Sequence, residues 1–578
     1  MSPLARLRRI ALCAAIGFFA PEFSQGQQEV EQNARPVASA PRLAPLPEPS
    51  LSVGEAFDMG DVESSKEGAV ALDTELNAGT EEELVEPASN LEALDHLENL
   101  DAMAPQGVAN PTAGGSAEAE KPPAKKKPTP PPPPPFKGVF YDNDFEQLSQ
   151  DKFYGHRLKR WQLGDCTYLD FGGEYRARYH NESNLRGTNF SNTSDEFLLH
   201  RVRLYANAEI GELVRLYAEA LDAQSNYEDF PPRVIEENRF DAQNLFGDLL
   251  LYNNGEGKYK ARVGRQELIY GEQRLISPLD WANTRRTFDG AKIWYASKEW
   301  NMDGFWVRPV PASQHVNGDR NFDSADDSQE FIGLYTTYKG KKDQTYDFYF
   351  LRFAEYEGPG TQFFPVDYDP MLFAMRWSGK QLDYFGDGSL FWDCEGGYQF
   401  GDFGQQTQSA GFATAGLGRD WSKRQYKPKL MLYYDYASGD QDPNDAVHGT
   451  FFQYFGLVHR YFGFMDLVAR QNIHDINLQL TLATGKKSTF LIWHHIFFLD
   501  SPRDALYNAG GTPILFDPTG NAGSYVGQEL DLTWQYNFNP NTDVLFGYSH
   551  FFAGDFVKNL RPVGNELDFT YVQFTVRF

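Results

Sequence analysis

From about residue 167 to the end of the chain, apolar and polar side chains alternate with a period of two in one segment after another. That pattern commits the chain to extended strands with two unlike faces. Leu530, Leu532, Trp534, Tyr536 and Phe538 share one face, and Glu529, Asp531, Thr533, Gln535 and Asn537 share the other. Val202, Leu204, Ala206, Ala208 and Ile210 alternate in the same way with Arg201, Arg203, Tyr205, Asn207 and Glu209. Short turn signals fall near Gly211, 253–257, 297–301, 340–343, 386–388, 422–426, 485–487 and 539–541. Longer polar stretches at 181–196, 224–240, 271–286, 312–328, 356–370, 401–411, 439–472, 500–524 and 553–566 lie between them. Short turns alternating with long loops describe an up-and-down antiparallel barrel of about 18 strands, with 16 as the alternative count. A soluble sandwich has no reason to keep its long loops on every second connection. The expected fold is therefore all-β, a transmembrane β-barrel over 167–578. The final strand supports it: Thr570, Val572, Phe574, Val576 and the terminal Phe578 share a face, opposite Tyr571, Gln573, Thr575 and Arg577.

Composition removes the rival membrane architecture. Aromatics reach 15% and mean hydropathy is −0.53, yet past the N-terminus no apolar run is long enough for a spanning helix. The net charge of −27 excludes a duplex nucleic-acid partner, which needs a basic surface. Residues 1–137 hold 11 Lys+Arg against 21 Asp+Glu, leaving −17 on residues 138–578. Three cysteines, Cys13, Cys166 and Cys394, have neither the number nor the spacing for a disulfide framework or a zinc site.

The N-terminus reads as an export signal over residues 1–26. Arg6, Arg8 and Arg9 precede the apolar stretch Ile10–Ala20, and Ser24-Gln25-Gly26 places small residues at the −3 and −1 positions of a cleavage site. Residues 27–137 are poor in aromatics, rich in Glu, Ala and Pro, and end in Lys125–Lys127 and the run Pro130–Pro135. This is the composition of a disordered periplasmic arm with a semi-rigid spacer. Within it Asn90 is placed to cap a short helix carrying Leu91, Leu94, Leu97 and Met103. The arm is long enough to reach peptidoglycan or a periplasmic partner, or to enter the pore as a plug. Residues 138–166 form a lead-in to the barrel.

Parity places Glu174, Arg176, Arg178, Arg201, Arg203, Glu209, Arg215, Glu219, Lys260 and Arg262 in the lumen. Arginine and carboxylate at neighbouring strand positions pair across a ladder and make a hydrated, ion-paired wall. The same arginines also suit a relay for an anionic solute, since basic rings select anions. The most distinctive segment runs Gly264-Arg265-Gln266-Glu267-Leu268-Ile269-Tyr270-Gly271 through Arg274, Pro278-Leu279-Asp280-Trp281 and Arg285-Arg286-Thr287-Phe288-Asp289-Gly290. Plain alternation puts Arg265 outside with Val263. A bulge at Gly264 would turn Arg265 and Glu267 inward and Leu268 and Tyr270 outward. The residues after Gly271 would form a long loop folded into the lumen as a constriction.

These stretches, with the strand Arg201–Gly211 and Asp435-Tyr436-Ala437-Ser438-Gly439-Asp440-Gln441-Asp442-Pro443, resemble the alginate-export porin family over roughly 165–578. The resemblance implies a monomeric 18-stranded barrel in outer-membrane lipid and lipopolysaccharide, with an arginine-lined constriction passing an anionic uronate polysaccharide. Its pore-motif residues, carried over by motif, are Arg265, Arg274, Arg285, Arg286, Asp280 and Asp289. The runner-up function is a porin for small solutes such as sugar acids or amino acids.

Two other classes are less well supplied by the residues. An enzyme finds no catalytic constellation: His494-His495 and Ser549-His550 are strand neighbours facing opposite sides, and no nucleophile elbow or HExxH occurs. An adhesive or structural barrel would be plugged and non-conducting. Asp440, Asp442 and Asn444 have the spacing of a calcium loop, but Asp445 and Phe451 stand where an EF-hand needs Gly and Glu. No cofactor is expected.

Overall fold

The computed structural model describes residues 136–143, 145, 155–186, 190, 193–312, 322–356, 366–384 and 386–578. The expected export signal, the expected arm up to residue 135 and the short helix expected around Leu91–Met103 lie outside the described residues.

Eighteen long strands form one closed antiparallel barrel. They are β1 (Thr167–Ser183), β2 (Asp195–Ile210), β3 (Val214–Asn226), β4 (Asn238–Asn253), β5 (Gly257–Gln266), β6 (Thr287–Ser297), β7 (Trp300–Val310), β8 (Gln329–Tyr338) and β9 (Gln344–Glu355). The second half comprises β10 (Tyr368–Tyr384), β11 (Gly388–Phe403), β12 (Gln406–Asp420), β13 (Lys429–Ala437), β14 (Ile473–Ala483), β15 (Ser488–Phe498), β16 (Tyr525–Asn539), β17 (Thr542–Ala553) and β18 (Leu567–Arg577). Each strand pairs with the next, and β1 closes on β18 from Glu174↔Arg577 to Ser183↔Asp568. A four-residue strand, Trp161–Gly164, pairs with the start of β1 and extends the sheet before it.

Closure leaves no long unpaired edge, which a lipid environment demands. The outward faces carry the apolar set read from the sequence: Leu204, Val263, Ile293, Phe373 and Leu417 are all exposed, Val263 at 66%. Exposed apolar side chains on every side of a closed barrel make a belt suited to hydrocarbon. The inward faces carry the buried charges Glu174, Arg201, Arg203, Glu219, Arg262, Asp435 and Glu529.

The structure departs from the sequence reading in one connection. Residues 401–411 are not a long loop: β11 and β12 run on to a two-residue turn at Gly404-Gln405. Their polar end positions, Gln406, Thr407 and Gln408 among them, look loop-like in sequence. The ladder needs only backbone groups, so polarity beyond the apolar belt does not break it.

The lumen is also not polar all round. Phe288, Phe305, Val307, Phe331, Tyr335, Leu351, Phe353 and Leu372, from β6 to β10, point inward into a large apolar cluster. Two long loops fold into the barrel to cover them, 267–286 and 449–472. They pair with each other as a parallel bridge, Ile276↔Phe455, flanked by Phe455 N–H to Leu275 O at 2.9 Å and Leu457 N–H to Gln273 O at 2.9 Å. Burial of Leu275, Ile276, Phe451, Phe452 and Phe455 against the apolar wall holds both loops inside.

Candidate pore constriction

The loop 267–286 meets the arginine-bearing wall of β1 and β2. Its Asp280 and Glu267 enter a network with the strand charges. Arg201 bonds Glu174 at 2.6 Å and Asp280 at 2.9 Å, and Arg203 bonds Glu219 at 2.6 Å with Glu267 at 3.8 Å. Arg285 pairs with both Glu267 and Asp280. Arg262 is held by Asp248 at 2.7 Å. These arginines are balanced where they stand.

Arg176 and Arg178 are not. Arg176 donates to the carbonyls of Asp280 at 2.8 Å and Ala282 at 2.6 Å, and Arg178 to the carbonyl of Trp281 at 2.9 Å. Among the described residues neither forms an ion pair, and the Nε of each has no hydrogen-bond partner. Both are buried. The Arg178 guanidinium lies 3.9 Å over the Trp281 ring, whose other face stacks on His459 at 3.7 Å. Trp281 Nε1 donates to Asp466 at 3.0 Å, and His459 Nδ1 lies 3.1 Å from the same carboxylate. Arg286 resembles the first two in donating only to carbonyls, those of Phe455 and Ser277. Burial without a carboxylate partner pushes its guanidinium down to about 10.

Beside Trp281 lies a cavity of about 50 Å³ lined by Arg178, His180, Arg233, Trp281, Phe464 and Asp466 among others. A water needs about 10–15 Å³ on this measure, so the space holds a few waters and no sugar ring.

The other motif residues fall elsewhere. Arg274 lies across the loop from Asp280, bonded to Asp393 at 2.6 Å and Glu395 at 2.7 Å with its side chain sealed from solvent. Arg376 joins it through Asp393 at 2.8 Å, Asp347 at 3.2 Å and Glu272 at 3.1 Å. Arg265 and Asp289 are corrections. Pairing runs through Gly264 without a register shift on either side, so no bulge turns Arg265 inward. It stays on the outer side with Val263 and Leu245, bonded to Asp289 at 2.8 Å. Glu267 does turn inward, as expected. Leu268 and Tyr270 do so as well, against expectation: Leu268 joins the apolar cluster, and Tyr270 stacks on Phe305 and Tyr335 at 5.5 and 4.9 Å. The loop leaves the ladder after Gln266, where strand parity ceases to apply.

Several groups in the lumen escape a sequence reading. Asp435, Asp475, His495, Glu529 and Asp531 on β13 to β16, with Arg470 from the loop 449–472, form a buried sector, His495 Nδ1 lying 2.8 Å from Asp475 and Arg470 3.0 Å from Asp435. The loop 449–472 seals it, Met465 N–H reaching Glu529 at 2.9 Å. Period-two parity gave the facing of Asp531 and Glu529, but nothing in the sequence says that a distant loop covers them. Asp440, Asp442 and Asn444 cap one another's backbone, and among the described residues no group of side chains is set to hold a metal.

Comparison with known proteins places this geometry. No curated protein matches the chain. Among solved structures it is similar to Pseudomonas aeruginosa OccD3 (OpdP), at 11% identity over 71% of this chain and 91% of that one, with a TM-score of 0.48. The outer membrane protein OprD from Pseudomonas aeruginosa gives 10% identity over 71% and 94% with a TM-score of 0.46. Acinetobacter baumannii OccAB1 gives 10% over 71% and 96% with a TM-score of 0.47. The family model for alginate export matches residues 167–567, well over half of the chain. The chain, an outer-membrane β-barrel of the porin kind, therefore belongs to the alginate export family.

Proposed function

We propose that this barrel passes anionic saccharides across the outer membrane, and that Arg176 and Arg178 form the selective part of the path. The carrying observation is their charge. Two buried guanidinium groups with no carboxylate partner keep a positive potential that the paired arginines around them do not, and an anion lowers the cost of their burial. The acidic sector of β13 to β16 does not compete, because the loop over it excludes both water and solute. The family description, alginate export, names a polyuronate, which is the solute class this arrangement suits. The short-turn end, where β1 begins and β18 ends, faces the periplasm on this reading.

The test is current block in planar bilayers with short oligouronates added to one side. Block that weakens at least ten-fold in Arg178→Ala supports the reading. Channels that conduct but ignore uronates, in wild type and variant alike, would leave a small-solute porin for sugar acids or amino acids.

A further inference from the structure

The segment just before the barrel does not lie outside it. Residues 136–143 enter the short-turn end of the lumen, and Val139, Phe140 and Tyr141 are buried there against Tyr205, Tyr217 and Phe246. The Tyr141 ring packs edge-on against Phe246 at 5.2 Å and Tyr217 at 5.7 Å, and Phe140 lies 5.5 Å from Tyr205. Arginines from three strands hold the same two rings and their backbone. The Arg203 guanidinium sits 4.0 Å over Phe140 and that of Arg262 4.4 Å over Tyr141. Arg215 donates to the Tyr141 carbonyl at 2.6 Å, and Arg285, from the interior loop, to the Gly138 carbonyl at 2.9 Å. Tyr141 Oη donates to the carbonyl of Glu267 at 2.7 Å. The segment thus bridges the barrel wall and the loop that narrows the lumen.

Its flanks return to the opening. Lys137 N–H bonds the Asn143 side chain at 2.7 Å, and Phe136 and Phe145 meet at 6.2 Å, so the insert is a closed loop that enters and leaves by one end. Lys137 and Asp142 are exposed while Val139, Phe140 and Tyr141 between them are buried. Lys159 fastens the return, donating to the carbonyl of Phe171 at 2.6 Å, to Tyr205 Oη at 2.7 Å and to the carbonyl of Phe578 at 3.2 Å.

We propose that residues 136–143 are a built-in plug: seated, they close the short-turn mouth, and the channel conducts when they leave it. A loop with its own closure and no strand pairing can withdraw without breaking the barrel ladder, whereas the strands cannot. The arginines it touches, Arg203, Arg262 and Arg285, are each paired with a carboxylate of the wall or the interior loop, so their ion pairs do not depend on the segment. This inference requires that the barrel conduct ions but not that it select uronates, so the two readings fail separately.

Two measurements test it. In potassium chloride alone, the Phe140→Ala/Tyr141→Ala variant, compared with wild type at equal amounts of heat-modifiable folded barrel, should show at least ten-fold higher open probability or macroscopic conductance. Equal conductance in the two proteins, or no conductance in either, overturns the plug. Seating is read independently by maleimide labelling in a Cys166→Ser/Cys394→Ser background. Phe140→Cys should label at least ten-fold more slowly than Lys137→Cys, and equal rates overturn the proposal. Loss of uronate block with the plug behaviour intact would count against the solute alone.

Discussion

Whether an arginine in this lumen has a carboxylate decides what its removal does. Arg274 neutralises Asp393 and Glu395, both buried, and among the described residues no other cation lies in pairing distance of Glu395. Arg274→Ala strands that charge and should cost about 3–5 kcal/mol, read from a chemical-unfolding midpoint in lipid vesicles, with ion selectivity unchanged. A loss below about 1 kcal/mol would show that water or rearrangement already serves these carboxylates. Arg178→Ala should do the reverse, shifting selectivity with little change in the midpoint. The lead-in has its own titration. Burial lowers Lys159 from 10.5 to about 8, against the opposing pull of Asp170. The folded state therefore gives up this proton near pH 8 while the released segment keeps it to about 10.5, so docking strengthens as pH rises between those values and is weakest below them. Protease nicking between residues 136 and 160 should slow from pH 7.5 to 9.5; a rate that rises, after correction for protease activity, contradicts this.

At the scale of elements, a glycine lets β4 and β5 lie close together just before the interior loop leaves the wall. Gly264 has φ of 126°, and a Cβ there would stand 2.2 Å from the Leu245 carbonyl oxygen. Gly264→Ala should therefore destabilise the barrel by about 2 kcal/mol or more and lower the yield of heat-modifiable protein. An unchanged unfolding midpoint would mean that β4 and β5 separate at no cost. The strand faces were legible in the sequence because alternation is a local property: Glu174, Arg176, Arg178, Arg201, Arg203, Glu219 and Arg262 all point inward as parity requires. Arg265 was misplaced because a glycine inside a strand pattern often marks a bulge, and here the ladder passes through without one. The sequence could not show that Ile276 bridges Phe455, nor that Glu529 is sealed beneath Met465, because those contacts join residues far apart in the chain. The docking of Phe140 and Tyr141 left a faint trace: Phe136, Phe140, Tyr141 and Phe145 are the first aromatic cluster after an aromatic-poor arm. That change of composition marks a segment with something to bury.

For the molecule as a whole, net charge and pore charge part company. Residues 138–578 carry −17, yet Arg178, which lines the cavity, and Arg176 on the same strand have no carboxylate partner among the described residues, while the cavity's Glu182 and Glu236 are paired with Arg233. Ions in a narrow path respond to the groups within a Debye length, about 8–10 Å, rather than to the total. The zero-current potential across a potassium chloride gradient, measured on the Phe140→Ala/Tyr141→Ala barrel so that the mouth is open, tests the central claim most directly. The arginine sector predicts a potential of the sign set by chloride, moving toward zero in Arg176→Ala/Arg178→Ala. A potential of the sign set by potassium, unchanged by those substitutions, would contradict the account.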